Sequence, residues 1–379
     1  MATLDIVCGL ILILGTVWEA FEAIVLPRRV TRRLRLTRVF YRSTWMVWAG
    51  LGQRLLSGKR REAYLAVYGP ISLLVLLTVW AGTMVLGFAL LHMGMGSHLE
   101  AGPGVVTFAT DLYMSGTTFF TLGLGDVVPR TVTARVLTVI EAGMGFGFLA
   151  LVIGYLPIIY QAFSRREVGT VLLDARAGSP PTAGELLRRG SVESADALQH
   201  FLVEWERWSA EVLESHISYP LLAFYRSQHS NESWLAALTS ILDFSALVIA
   251  GIDGLSPQQA RLTFAIARHT AVDLAQVLSS PPAAPAHDRL PPADLDRMRQ
   301  SLGAAGVILH VDAAHGQRLS ALRRTYEPYV NALSQYLRMP LPPWMPATTS
   351  ADNWQTSAWE RMSSRAPQRV STAIGDEHG

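Results

Sequence analysis

Three predominantly apolar stretches, residues 4–26, 69–93 and 131–160, decide most of what this 379-residue chain can become. Each matches the roughly 20 helical residues needed to cross the hydrocarbon core of a bilayer. A further stretch, residues 107–120, is apolar but too short to cross. Gly102, Pro103 and Gly104 stand before it and Gly123 and Gly125 after it. The pattern predicts a short helix that enters the membrane and returns as an extended loop, a path tolerated only where protein or a water-filled cavity surrounds the backbone. Half of all residues are apolar and 16% are charged, too apolar a balance for an ordinary soluble chain of this length. The single cysteine, Cys8, excludes an intrachain disulfide and a cysteine zinc cluster. The first stretch lacks a basic leader region and a small-residue cleavage site, so it reads as a retained span.

Orientation follows from charge. Residues 28–61 carry eleven Lys and Arg and no acidic residue, which places this loop in the cytoplasm. The amino terminus is then outside, the re-entrant stretch opens from the external face, and the third span returns to the cytoplasm at Ser164-Arg165-Arg166. Glu100, Asp111 and Asp126 are expected on or near the external side. Arg28, Arg32, Arg35, Arg38 and Arg42 fall near one helical stripe. Their neighbours are too polar for a voltage sensor, and the stripe reads as an interfacial helix gripping anionic lipid, with residues 40–56 apolar enough for partial insertion.

The most informative motif is Thr121-Leu122-Gly123-Leu124-Gly125-Asp126, preceded by Thr117-Thr118-Phe119-Phe120 and followed by Val127-Val128-Pro129. A cation sheds its water only where fixed oxygens replace that shell, and alternating glycines let successive carbonyls turn toward one axis. Thr121 can add a hydroxyl at the inner mouth, and the preceding short helix would aim the negative end of its dipole at a cation.

This arrangement resembles the pore domain of the potassium channel superfamily, whose filter follows the pattern TVGYG. The likeness covers residues 69–163: span, re-entrant helix, TxGxGD, Pro129 and a glycine-bearing inner helix. It implies K+ as the permeant ion, coordinated by Thr121, Leu122, Gly123, Leu124 and Gly125, with Asp126 at the outer mouth. One filter loop occurs in the chain where the family assembles four, so the resemblance implies a homotetramer. Leu122 stands where the family usually has valine and Leu124 where it usually has tyrosine, as in some two-pore-domain potassium channels. The missing phenol leaves bracing to packing, through Phe119 and Phe120, and reduced selectivity is a consequence to test.

In the third span, Gly145 is the nearest match to the family's gating-hinge glycine and Gly143 the second. Close packing through Gly143 and Gly147 explains the same residues equally well. Pro157 removes a backbone bond and is expected to kink the inner end. Glu141 is an ionisable group deep in a span and so a functional candidate. It would either line the cavity or, the preferred reading, support the filter by bonding Thr117 or Thr118. Glu19 and Glu22 are expected to pair with Arg28 or Arg29.

From Arg165 onward the chain reads as free of long apolar runs and therefore as soluble, a cytoplasmic helical domain over residues 165–346 with a disordered tail at 347–379. A short strand is expected at 168–174, a loop at 177–182, and helices at 181–190, 194–218, 233–252, 257–278 and 292–337, one of them opened by Ser256-Pro257. The absence of GxGxxG argues against a nucleotide-sensing Rossmann domain. His200/Glu204 and His269/Asp273, with Glu211, Glu214 and His216 nearby, read as solvated helix faces rather than a metal site. Trp205, Trp208 and Trp234 read as core.

The expected fold class is therefore an all-α membrane protein: three transmembrane helices with a re-entrant pore helix and filter, plus a cytoplasmic helical bundle. Its divisions are 1–68 (first span and basic interfacial linker), 69–164 (pore domain), 165–346 and 347–379. No enzyme motif, organic cofactor, metal beyond K+ or nucleic-acid partner is expected. The expected partners are membrane lipid, three further copies, and a cytoplasmic ligand or protein on residues 183–346. The expected place is the plasma membrane. A non-selective cation channel and a non-conducting membrane sensor remain as alternatives.

Overall fold

A computed structural model describes residues 2–26, 36–96, 98–101, 106–190, 195–228, 232–252, 257–310 and 312–346. The arginines at 28–35, Gly102 to Gly104, Ser256 and the tail at 347–379 lie outside the described residues. The described chain is mainly helical and forms two compact units.

The first unit comprises Met1–Arg166 together with Ala210–Arg226 and Gln276–Ser279. Helix α1 (Ala2–Ala20) ends in a π turn at Phe21–Val25. It lies against α3 (Gly58–Gly94) through small residues: a Cβ on Gly9 would meet the Gly87 carbonyl at 2.6 Å, and one on Gly94 the Ala2 carbonyl at 2.9 Å. Backbones approach this closely only where side chains are absent, the usual device of helix pairs in lipid. The second span is longer than the apolar stretch that announces it, since the helix already begins at Gly58 and passes through Pro70.

Between α1 and α3 lies α2 (Leu36–Leu55). Glu19 of α1 accepts from Leu36 N (3.1 Å), Thr37 N (3.2 Å) and Thr37 Oγ1 (2.7 Å), so its described partners are the first amides of α2. A helix start offers unpaired N–H groups and a positive dipole end, which suits a buried carboxylate. Glu22 accepts from Trp18 Nε1 at 2.8 Å. Toward the same end of the unit, Tyr41 and Trp45 of α2 and Tyr68 of α3 cluster on Phe224.

Thr107 and Thr110 form a reciprocal cap that opens α4 (Phe108–Phe119), the short re-entrant helix. Strands β1 (Leu99–Ala101) and β2 (Val127–Pro129) pair antiparallel, Leu99 opposite Pro129 and Ala101 opposite Val127, a small sheet that an all-helical reading omits. Helix α5 (Val132–Ala177) follows. It stays helical through Pro157 and through residues 168–174, where local β-propensity predicts a strand. Tyr155, Ile159, Ala162, Arg166 and Thr170 are buried at helical spacing, and this tertiary stripe overrides the local preference. The inner part of α5 packs with Leu73, Leu76, Leu77 and Trp80 of α3 and with Leu221 and Leu222 of the 3-10 turn Pro220–Phe224. The first unit is thus completed by a segment that lies far along the chain.

The second unit comprises Glu167–Ser209, Ser227–Ala275 and Ser280–Gly379. It holds α6 (Ala183–Gly190), the first part of α7 (Ala195–Ser218), α8 (Trp234–Gly251), α9 (Pro257–Val277), α10 (Pro292–Ala304) and α11 (Ala313–Leu337). The single helix expected at 292–337 is two, separated by a turn with Gly306 at φ 82 and a bridge from Leu309 to Ile252. Among the described residues four helices are long and apolar enough to cross a membrane: α1 with its π turn, α3, α5 and α8. The hydrophobic stretch of α8 is 94% buried inside the protein against 11% for α5, so α8 is apolar all round because it is the core of its unit. Its one carboxylate, Asp243, receives Arg289 Nη2 at 2.6 Å and Tyr326 OH at 2.5 Å, which supplies the pairing a buried charge requires. Trp205, Trp208 and Trp234 are buried as expected.

Candidate functional site

The loop at 121–126 leaves the carbonyl end of α4. Its backbone has φ of 57° at Thr121, 55° at Gly123 and 77° at Gly125, while Leu122 and Leu124 keep the ordinary negative sign. A segment that alternates handedness in this way sets successive N–H groups to one side and successive carbonyls to the other. Glycine accepts the left-handed region without cost, but a β-branched threonine does not. Thr121 is held there by the last turn of α4: Thr121 N donates to Thr118 O (3.0 Å), Leu122 N to Thr117 O (2.7 Å) and Gly123 N to Thr117 O (3.3 Å). Thr117 and Thr118 therefore touch the loop through their carbonyls, and the Thr117 hydroxyl turns back to Met114 O at 2.9 Å.

Asp126 accepts a 2.8 Å bond from the hydroxyl of Tyr113 on α4. A phenol thus braces the loop although Leu124 cannot supply one. Phe119 is buried against Phe148 of α5, whereas Phe120 is 58% exposed, so of these two only Phe119 packs behind the loop. Leu122 and Leu124 are 62% and 63% exposed in the single chain.

Glu141 is fully buried, but it does not reach Thr117 or Thr118 and does not face open space. It faces His92 of α3, with Nε2 to Oε2 at 3.7 Å, and Ser115 of α4. Asp111, expected on or near the external side, is fully buried too. The glycines of α5 separate clearly. A Cβ on Gly145 would fall 1.9 Å from Phe119 O, whereas Gly143, Gly147 and Gly154 have nothing within 4 Å. Close packing in this chain falls on Gly145, the residue expected as hinge, and not on the pair Gly143 and Gly147. Tyr113, Ser115 and His92 were missed by sequence reasoning. The available signal was His92 itself, an ionisable residue inside an apolar span.

At the inner end of α5, Arg166 is buried and donates to Leu222 O and Tyr225 O, both at 2.9 Å. Its Nη1 lies 3.2 Å from His216 Nε2, and His216 Nδ1 lies 2.8 Å from Val212 O. The proton on Nδ1 is assigned by that carbonyl, which leaves Nε2 as acceptor for the guanidinium. His216 is therefore a buried structural residue, not part of a solvated face. Asp273 is also buried, beside His269 at 2.8 Å. Among the described residues no group of three His, Cys, Asp or Glu side chains is placed to hold a metal ion.

Residues 73–162 match the model of a family described as ion channel. An uncharacterized membrane protein, YdjJ of Bacillus subtilis (strain 168), is 23% identical over 260 residues, 67% of this chain and 74% of that protein. Protein LctB of Geobacillus stearothermophilus is 33% identical over 87 residues, which is 20% of this chain and 64%, just under two thirds, of its own length. No solved structure matches. Span, re-entrant helix, TxGxGD loop and inner helix coincide with the matched stretch, and residues 73–162 of this membrane protein are a pore domain of the potassium channel superfamily.

Proposed function

We propose that the chain is one subunit of a homotetrameric potassium channel in the plasma membrane. K+ would pass through stacked rings of carbonyls from Thr121, Leu122, Gly123, Leu124 and Gly125 of four copies. Asp126 would stand at the outer mouth and the Thr121 hydroxyl at the cavity side. The observation that carries this reading is the alternating backbone of residues 121–125 at the carbonyl end of α4, within the matched ion channel domain. Carbonyls so arranged can replace an ion's hydration shell. Nothing in the role requires catalysis, an organic cofactor, a bound metal other than the permeant ion or nucleic acid. The basic loop at 28–61 supports a cytoplasmic position for that side, and in this reading the amino terminus and Asp126 are external and the second unit cytoplasmic.

Control by the chain's second half is part of the proposal. Helix α5 runs unbroken past Arg166, and Ala210–Arg226 returns to pack on its inner end through the Arg166 contacts with Leu222 and Tyr225. A ligand or protein partner bound to residues 183–346 would act through these connections.

The test is the reversal potential of the purified protein in planar bilayers with K+ on one side and Na+ on the other. A potential near that for K+ alone is expected. A potential near zero would favour the second reading, a non-selective cation pore, for which Leu124 in place of the aromatic is the specific observation. Absence of any flux would leave the non-conducting sensor.

A further inference from the structure

Behind the re-entrant helix, three helices bring ionisable and polar side chains together where no solvent reaches them. His92 of α3 is 2% exposed, and Ser115 of α4 and Glu141 of α5 are 0% exposed. His92 Nε2, Ser115 Oγ and both Glu141 carboxylate oxygens are buried, and none makes a hydrogen bond among the described residues. The imidazole and the carboxylate approach to 3.7 Å. The same helices also bury Val85 and Phe88 of α3 and Met114 and Phe119 of α4.

Such a pair has a constrained proton count. With one proton it is neutral overall, as imidazolium with carboxylate or imidazole with carboxylic acid. With none or two it leaves an unpaired buried charge, which is expensive. A charge on either group is therefore felt directly by the other. Other titratable groups on these helices, toward the ends near β1 and β2, are Asp111 of α4, also buried, Arg135 of α5, exposed and donating to Pro129 O, and Asp5 and Cys8 of α1, both half-buried. Tyr113 of α4 is engaged with Asp126, and His98, just beyond the end of α3, is exposed.

We propose that His92, Ser115 and Glu141 form a proton-binding site behind the pore helix, and that a second proton, taken up from the side of Asp126, closes the filter to ions. The path is short. His92 lies two residues before the end of α3, at the β1 side of the unit. Ser115 lies two residues before Thr117, whose carbonyl holds the amides of Leu122 and Gly123. A charge forced between α4 and α5 at Ser115 strains the turn from which the filter hangs. The closing step rests on the channel reading above; the proton site does not.

The test uses the full chain in lipid vesicles and reads two signals as the external pH is lowered from about 8 to about 4, a range spanning ordinary His and carboxylate titration. Infrared difference spectra read imidazole and carboxyl protonation, and an entrapped dye reads K+ flux. Over and above the titration of the other histidines and carboxylates, which the variants share, one acid-induced step belonging to this site is expected in the infrared spectrum. It should be lost in His92→Gln, with at least a tenfold change of proton affinity in Glu141→Gln. K+ flux should fall at the same midpoint in the unaltered chain and become insensitive to pH in His92→Gln. An infrared step unaffected by both substitutions overturns the site. A coupled step with flux that ignores pH overturns the control of conduction. A coupled step with no flux at any pH upholds the site and overturns the channel reading.

Discussion

At Gly145 a single hydrogen atom decides whether α5 can lie against the end of α4. The atom that a new Cβ would strike is the carbonyl oxygen of Phe119, at 1.9 Å, and a backbone carbonyl cannot swing aside as a flexible side chain would. Gly145→Ala is expected to destabilise the first unit by about 1–3 kcal/mol, the usual cost of overpacking. Gly143→Ala and Gly147→Ala meet nothing within 4 Å and gain helix propensity, so each should leave stability unchanged or raise it by up to about 1 kcal/mol. Thermal unfolding of the three variants in one detergent checks the ordering, and a Gly145→Ala protein as stable as the parent would show that the close contact is not made. The sequence brought these glycines forward but could not rank them, because rank depends on which face of α5 meets Phe119. Glu19 shows the same limit: its partners at Leu36 and Thr37 are seventeen and eighteen residues away along the chain, and only packing reveals that a carboxylate caps a helix start. The alternating backbone of residues 121–125 was legible because its pattern is local, carried by glycines at alternate positions within six residues.

At the scale of elements, α5 and the returning segment Ala210–Arg226 meet through Arg166 and His216, and this junction is pH-sensitive by construction. Burial, with the neighbouring guanidinium second, holds the His216 imidazole well below its usual value. Once the segment is released, the ring titrates near the ordinary value of about 6.5. Above that pH both states are neutral and the packed state keeps its full stability. As pH falls below about 6.5 the released state takes a proton that the buried ring refuses, so stability is progressively lost toward the depressed native value. Hydrogen exchange of residues 210–226, corrected for intrinsic rates, should show weaker protection at about pH 5.5 than at about pH 7.5, and His216→Gln should flatten the difference. Equal protection at both pH values in the parent would refute the assignment of a neutral, buried ring. None of this junction is readable from residue patterns, since His216 sits among Glu211, Glu214 and Ser215 in a stretch that looks solvated. The strand expected at 168–174 fails for a related reason: its valines and threonine favour a strand locally, but the buried stripe through Arg166 and Thr170 keeps the helix going.

At the scale of the whole molecule, the exposed faces of α5 bear on how many chains assemble. Within one chain residues 132–162 of α5 bury only a narrow stripe, Ala134, Glu141, Gly145, Tyr155, Ile159 and Ala162, and leave Val139, Phe146 and Ile153 at 73%, 68% and 63% exposure. Lipid can cover apolar side chains, but it cannot cover the loop at 121–125, whose backbone needs polar partners or ions at membrane depth. Gly143, Gly147 and Gly154 open further faces of the same helix that a neighbouring helix could approach closely. Closed rotational symmetry about the filter satisfies both needs at once, and four copies bring four carbonyls to each level. Native mass spectrometry of the protein released from lipid should therefore show a species of four times the 41.5 kDa chain. Phe146→Arg, which places a charge on an exposed face of α5 without touching its buried stripe, should lower the tetramer fraction while leaving helix content intact. A monomer in the unaltered protein would leave the alternating loop without the partners its backbone demands, and a tetramer indifferent to Phe146→Arg would move the subunit contact to another face of α5.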